Sequence, residues 1–166
     1  MCPLRRVEGH RAGPSALGIL VPPGRRTYLI LRPRALACDL LLLRPNSVNT
    51  FRELPRGEAD LLAHELFQAL RQWSDGASGH VEEVAAPDGS GYWVRVHVGS
   101  FVLLMCGRQP GKPYQPLIFP DVETALSAAA QVRRILRPPA NVEQEVYLNT
   151  LHFQQENKTH HHESHQ

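Results

Sequence analysis

Residues 92–98 read YWVRVHV, and this stretch decides the type of fold because apolar and polar side chains alternate along it. Successive side chains of a β-strand point to opposite faces of the sheet, so the alternation predicts a half-buried strand. The turn-forming sequence PDGSG at 87–91 precedes the strand and predicts a hairpin with the period-two segment that starts at His80. One face of the strand then carries Tyr92, Val94, Val96 and Val98, and the other carries Trp93, Arg95 and His97.

Two segments change to a helical period. Leucines and other apolar residues recur at steps of three and four over residues 58–73, and Asp75, Gly76 and Gly79 follow as helix-ending signals. A second helix is predicted to begin at Asp121, because an aspartate carboxylate accepts hydrogen bonds from the first free amides of a helix. Its apolar stripe is rich in alanine, which indicates close approach to a sheet or a partner, and the stripe runs over Val122, Ala125, Ala129, Val132 and Leu136.

Short aliphatic runs separated by prolines predict further strands at 17–21, 27–31, 36–44 and 101–106. The expected fold is α+β, with a mainly antiparallel sheet of five to six strands and two helices on one face. Two ββα units sharing the sheet are the preferred arrangement. A weak repeat supports it, since Pro55 matches Pro120 at an offset of 65 and Tyr28 matches Tyr92 at 64, although shared physics explains these matches as well as duplication does.

The domain prediction places a flexible arm at 1–16, one α+β domain at 17–140, and a polar extension at 141–166 that ends in a disordered His-rich tail. The extension contains Val146 to Phe153, which suits either a short helix or a strand. The apolar runs, such as 40–43 and 101–106, are far too short to cross a bilayer as a helix, so no membrane association is expected. A cytoplasmic location is expected, because Pro14, Pro22 and Pro23 break the short apolar stretch near the N-terminus before it can form a signal-type helix. The sparse, scattered cysteines Cys2, Cys38 and Cys106 favour reduced thiols.

Charge is distributed unevenly along the chain. Up to Arg56 there are ten arginines against three acidic residues, a net +7, whereas the remainder has 8 basic and 13 acidic residues, a net −5. Arginines bordering a sheet that carries an aromatic side chain can hold a nucleic-acid backbone and stack a base. The candidate nucleic-acid-binding residues are Arg25, Arg26, Tyr28, Arg32, Arg34 and Arg44, with a solvated charged rim as the alternative.

No motif for catalysis or for a cofactor stands out. His64 with Asp60 one turn earlier suits a general base, but the same spacing is a common surface pairing on helices. Ser100 lies outside any G-x-S-x-G pattern, and the glycines match neither phosphate-binding loop pattern. The run His160 to His162 and His165 could bind a transition metal, yet a flexible run lacks fixed geometry. We therefore expect no enzyme, no bound metal and no cofactor.

The leading hypothesis is a binding or adaptor module that contacts a protein partner through an open sheet face. Trp93, Arg95 and His97 form the predicted contact row, because aromatic and arginine side chains dominate many interfaces. The alternative places Trp93 inside the protein, with both sheet faces covered. Nucleic-acid binding through the arginine-rich first half is the second function hypothesis, and an enzyme with an unfamiliar site is a third.

Overall fold

The computed structural model describes residues 17–44, 51–73, 76, 79–109, 111–136 and the backbone of 146–148. Within these ranges there are nine strands and two helices. The strands are β1 (Leu17–Leu20), β2 (Arg26–Thr27), β3 (Ile30–Pro33), β4 (Cys38–Leu42), β5 (Leu54–Pro55), β6 (Gly79–Ala85), β7 (Tyr92–Val98), β8 (Phe101–Gly107) and β9 (Val146–Leu148), and the helices are α1 (Arg56–Arg71) and α2 (Val122–Leu136).

Seven strands form one sheet in the order β6-β7-β8-β4-β3-β1-β9, and β2 pairs with β5 in a separate ribbon. Neighbours from β6 to β1 are antiparallel, whereas β9 adds to β1 in parallel. The predicted α+β fold with a mainly antiparallel sheet is therefore confirmed. For residues 146–148 the strand alternative is the observed one, and the sheet reaches into the segment that the sequence assigns to the C-terminal extension.

The two halves of the chain have similar topologies. In the first half β1, β3 and β4 pair in succession before α1, and in the second half β6, β7 and β8 do so before α2. The pairing of β4 with β8 joins the halves at the centre of the sheet. The tyrosine match does not mark equivalent positions, because Tyr92 packs with the helix-side core and Tyr28 packs with the cluster on the opposite face.

Both helices bury their apolar stripes in the same core as one face of the sheet. Fully buried leucines such as Leu66 contribute roughly 2 kcal/mol each by leaving water. The alanines of the stripe predicted for α2, Ala125 and Ala129, are buried in this core. Val122 departs from that prediction, since 38% of it is exposed. The helix residues buried in this core are Ala59, Ala63, Leu66, Leu70, Ala125, Ala129, Val132 and Leu136.

The opposite face of the sheet, here called the helix-free face, has its own apolar cluster around Leu41 and Leu104. The segment after β8 folds back beside the sheet, because Gly107 N–H donates to Gln115 O and Leu117 N–H donates to Met105 O. Tyr114 and Phe51 add aromatic cover to the cluster. The centre of the helix-free face is consequently buried rather than open.

Among the residues described, no helix combines the length and the apolar character that crossing a membrane requires. Cys38 and Cys106 are buried, unpaired thiols. Burial raises the pKa of the Cys38 thiol to about 11, and burial also raises the pKa of Cys106 far above its ordinary value. Both therefore stay protonated near neutral pH and pack as small apolar groups.

Trp73 contacts both strands of the β6–β7 hairpin at its open end. Its indole Nε1–H donates to the backbone carbonyl of His97 over 3.2 Å, and its ring lies directly over Gly79. A Cβ atom at Gly79 would lie 1.6 Å from Trp73 Nε1. The glycine is needed here for close approach, and the contact fixes the backbone at the end of β7.

Replacing Gly79 with alanine should destabilise the protein by about 1–3 kcal/mol, because the added methyl group displaces the buried indole. Gly57→Ala is the matched control: a Cβ at Gly57 meets nothing within 4 Å, and the residue lies in α1, where alanine is the better helix former. Denaturant unfolding of both variants checks this. Equal stability of Gly79→Ala and the wild type would contradict the packing of Trp73 on Gly79.

Candidate functional site

The β6–β7 hairpin brings four polar side chains together on the helix-free face. The register pairs His80 with His97 and Glu82 with Arg95, directly across the two strands. These four residues alternate with buried valines that belong to the helix-side core. We call His80, Glu82, Arg95 and His97 the polar corner, since they lie where β6 forms the edge of the sheet.

Glu82 is the centre of the polar corner. Its Oε2 accepts hydrogen bonds from the Arg95 guanidinium, including one from Nε at 3.1 Å, and it lies 2.9 Å from His97 Nε2. Oε1 of the same carboxylate lies 3.8 Å from His80 Nε2. The two imidazole rings stack, with centroids 4.1 Å apart and planes inclined by 12°. One carboxylate is thus surrounded by three nitrogen-bearing side chains.

The electrostatics of the corner favour an ionised Glu82. Partial burial raises the pKa of this carboxyl, but hydrogen bonds from His97 and Arg95, together with their charges, outweigh burial and lower it below the ordinary value. An ionised carboxylate that accepts several hydrogen bonds is a strong acceptor for cations. The corner is therefore built around a fixed negative charge with nitrogen donors and ligands beside it.

The polar corner is accessible from solvent. The exposed fraction of the side chain is 50% for His80, 33% for Glu82, 25% for His97 and 22% for Arg95. His80, Glu82 and His97 each offer one ligand atom, and these atoms lie within 4.8 Å of one another. The arrangement can bind an anionic group through its nitrogen donors or a cation through its ligand atoms.

The predicted contact row is only partly available. Trp93, Arg95 and His97 do share the helix-free face, but Trp93 is 5% exposed and packs in the apolar cluster there. Its buried indole Nε1 has no hydrogen-bond partner among the residues described. The alternative that places Trp93 inside the protein is the one observed, so Arg95 and His97 alone remain for contact.

Sequence reasoning missed His80 and Glu82, although a signal for them exists. The turn at 87–91 fixes the hairpin register, because residues equidistant from its centre face each other. Asp88 and Gly89 lie at that centre, and the Asp88 carboxylate accepts a hydrogen bond from Ser90 N–H at 3.0 Å. Counting outward from this turn places His80 opposite His97 and Glu82 opposite Arg95.

A second polar cluster lies buried beneath the same face. Asp39 on β4 is fully buried, and its carboxylate accepts two hydrogen bonds from Arg32, at 2.9 and 3.0 Å. Arg108 Nε donates to the same group at 2.9 Å, and the Tyr114 hydroxyl donates at 3.2 Å. Burial and the Asp39 charge raise the pKa of Tyr114 to about 12, which keeps its phenol protonated as a donor. This cluster anchors the segment after β8 and has a structural role.

The candidate nucleic-acid-binding residues do not form one group. Arg32 pairs with buried Asp39, and Arg26 lies 3.6 Å from the Glu53 carboxylate. Because Ile30 pairs with Leu41, the sheet end that carries Arg25, Arg26, Tyr28 and Arg44 lies opposite the end that carries Arg34. Tyr28 makes an edge-on contact with the Phe51 ring. The arginines therefore divide between the two ends of the β3–β4 hairpin.

The remaining candidates stay apart from the corner or outside the described ranges. His64 and Asp60 are exposed one turn apart on α1, the placement typical of a surface pairing. Ser100 is exposed in the turn between β7 and β8. The histidines at 160–162 and 165, the arm at 1–16 and residues 149–166 lie outside the described residues.

Comparison of the chain with protein-family models, with curated proteins and with solved structures yields no match. The function is therefore argued from the geometry of the polar corner.

Glu82→Gln should lower the free energy of unfolding at pH 7, because the variant loses the charged hydrogen bonds to Arg95 and His97. Since the pKa of Glu82 is lowered on folding, the stabilisation is present above its ordinary value of 4.5 and disappears as pH falls through the lowered pKa. Urea unfolding at pH 7 and pH 3 measures the difference. Glu83→Gln, on the other face of β6, is the control, and a Glu82→Gln deficit of equal size at both pH values would contradict the assignment.

Asp39→Asn should cost about 3 kcal/mol of stability, because the substitution leaves two guanidinium groups without their buried counter-charge. Tyr114→Phe removes one hydrogen bond and should cost about 1 kcal/mol. Denaturant unfolding at pH 7 compares the two variants. A smaller loss for Asp39→Asn than for Tyr114→Phe would show that the carboxylate does not hold the cluster together.

Proposed function

We propose that the protein is a non-enzymatic binding module that contacts an acidic segment of a partner protein through the polar corner. The observation that carries this proposal is the excess of nitrogen groups there: Arg95, His80 and His97 surround the single carboxylate of Glu82. A surface with this composition complements carboxylates, and charge complementarity of this kind governs partner choice and association rate.

Arg95 is the residue that we expect to contact the partner most directly. Its two hydrogen bonds to Glu82 both go to one oxygen, Oε2, and they use two of the five N–H groups that a guanidinium carries. The remaining donors can bind a second carboxylate in the planar, forked geometry that distinguishes arginine from lysine. Glu82 meanwhile holds the guanidinium in place, which reduces the entropy that binding would cost.

The stacked histidines supply a flat, rigid neighbour to the arginine. His97 is fixed at two points, since its ring contacts Glu82 and its backbone carbonyl accepts the Trp73 indole N–H. The sheet edge is less suited to binding by strand addition, because Arg133 of α2 donates to the outward carbonyl of Val81 at 3.1 Å. Side-chain recognition at the corner is therefore favoured over backbone pairing along β6.

Nucleic-acid binding through the first half of the chain receives less support. That hypothesis needs a contiguous positive face, whereas the arginines divide between two ends of a hairpin and Arg32 already neutralises Asp39. We retain a cytoplasmic location as part of the proposal, on the ground that Cys38 and Cys106 are unpaired thiols.

A photo-crosslinking residue at position 100 tests the proposal, because Ser100 is exposed in the turn that follows His97 and belongs to none of the corner contacts. In cells that naturally make the protein, we expect crosslinked peptides enriched in aspartate and glutamate, identified by mass spectrometry. Arg95→Gln should reduce the crosslinked yield by about tenfold, since a charge-assisted contact is lost.

Arg71→Gln is the matched control, because Arg71 is an exposed arginine at the end of α1 whose guanidinium lies over Phe67. Its crosslinking should equal that of the wild type. Crosslinked peptides without acidic enrichment, or equal losses for Arg95→Gln and Arg71→Gln, would overturn the proposal.

A further inference from the structure

The polar corner brings three potential metal ligands, His80, Glu82 and His97, close together. His97 Nε2 and Glu82 Oε2 are 2.9 Å apart, His80 Nε2 and Glu82 Oε1 are 3.8 Å apart, and the ligand atoms of the three residues lie within 4.8 Å of one another. In a tetrahedral zinc site with bonds of about 2.0–2.1 Å, neighbouring ligand atoms lie about 3.3 Å apart. The distances from the two carboxylate oxygens to the two imidazole nitrogens lie on either side of that value.

We propose that His80, Glu82 and His97 bind one Zn²⁺ ion through two imidazole nitrogens and a carboxylate oxygen. This inference concerns the same corner as the proposed function, but it does not require a protein partner. Two imidazoles and one carboxylate suit zinc and its neighbours in the transition series rather than calcium or magnesium, which prefer sets of oxygen ligands. With three protein ligands, a tetrahedral ion keeps one position open for a water molecule or an external carboxylate.

The strand register explains how so small a site is built. Residues two apart on one strand share a face, so β6 supplies His80 and Glu82 together, and β7 supplies His97 directly opposite His80. All three residues therefore stand on two hydrogen-bonded strands rather than on loops. A site on strands of a sheet holds its ligands in place better than a site on a loop.

Arg95 does not bind the ion in this proposal but positions the carboxylate of Glu82, which does. Both of its hydrogen bonds to Glu82 go to Oε2, which orients the carboxylate and leaves Oε1 directed toward His80. Hydrogen bonds of this kind fix a metal-binding carboxylate in position. The positive charge of Arg95 also repels a cation, so this residue favours a defined geometry at some cost in affinity.

One side chain must move for the ion to bind. The imidazoles stack almost in parallel, whereas two ligands of one tetrahedral ion approach it from different directions. His80 is the ring that can turn, because half of its side chain is exposed. His97 stays in place because Trp73 bonds to its backbone carbonyl, while its Nε2 exchanges the contact with Glu82 for the metal. Zinc binding should therefore separate the stacked rings and leave the fold of the hairpin unchanged.

The test uses the full chain with His160→Asn, His161→Asn, His162→Asn and His165→Asn, because the tail histidines would otherwise bind the metal themselves. Zn²⁺ is titrated in competition with a chromophoric chelator, and Co²⁺ is added separately to record its visible absorption bands. We expect one Zn²⁺ per chain, a Co²⁺ spectrum of tetrahedral intensity, and no displacement by a large excess of Ca²⁺.

His80→Asn and His97→Asn should each weaken Zn²⁺ binding by more than about tenfold, since each removes one of the three ligands. His80→Asn is the safer variant, because the residue is half exposed and the bonds among Glu82, Arg95 and His97 remain. His64→Asn, which removes an exposed histidine from α1, should leave Zn²⁺ affinity unchanged. Thermal unfolding confirms that each variant is folded.

Two outcomes would overturn the zinc site: no Zn²⁺ binding at one equivalent, or equal affinity in the His80→Asn, His97→Asn and His64→Asn variants. The isolated chain is used throughout, so the result is independent of the crosslinking experiment. Zinc binding without acidic crosslinks would leave the metal site standing and refute the proposed partner, and acidic crosslinks without zinc binding would do the reverse.

Discussion

The antiparallel pairing of β4 with β8 is the interaction on which the rest of the structure depends. It extends over five residue pairs, from Cys38 with Gly107 to Leu42 with Leu103, and it joins the two halves of the chain into one sheet. Every residue of β4 is buried, so both faces of this strand must be covered. The helices cover one face, and the segment after β8 and neighbouring aromatic residues cover the other.

This central pairing also explains why a charge lies inside the protein. Asp39 is on β4 and faces away from the helices, where burial of an unpaired carboxylate would cost several kcal/mol. Arg32 from the neighbouring strand and Arg108 from the end of β8 compensate it, and Tyr114 adds a hydrogen bond. The same contacts hold the covering segment in place. The helix-free face is thus closed at its centre, and its polar groups become accessible toward the β6 edge.

The candidate functional site lies at that edge, where the hairpin is exposed and held by contacts to both helices. Trp73 ties the backbone of β7 to the end of α1, and Arg133 ties β6 to α2. Glu82, on this hairpin, contacts one arginine and two histidines, namely Arg95, His80 and His97. The proposed recognition of an acidic segment and the proposed zinc site use the same property, which is a preorganised carboxylate with nitrogen groups around it.

The sequence alone determined the α+β class, both helices and the hairpin that carries Arg95 and His97, because hydrophobic period and turn chemistry are local properties. The capping of α2 by Asp121 is a local prediction too, and its carboxylate accepts the Thr124 amide N–H at 2.8 Å. The sequence left open whether Trp93 is buried and where the arginines pair, since burial and ion pairing depend on strands that are distant in sequence. Only the tertiary structure decided that Arg32 forms an ion pair with buried Asp39 and that β9 adds to the sheet beside β1. It also decided that His80 and Glu82 meet His97 at an exposed edge rather than beneath a covering loop, because solvent access depends on the packing of the whole chain.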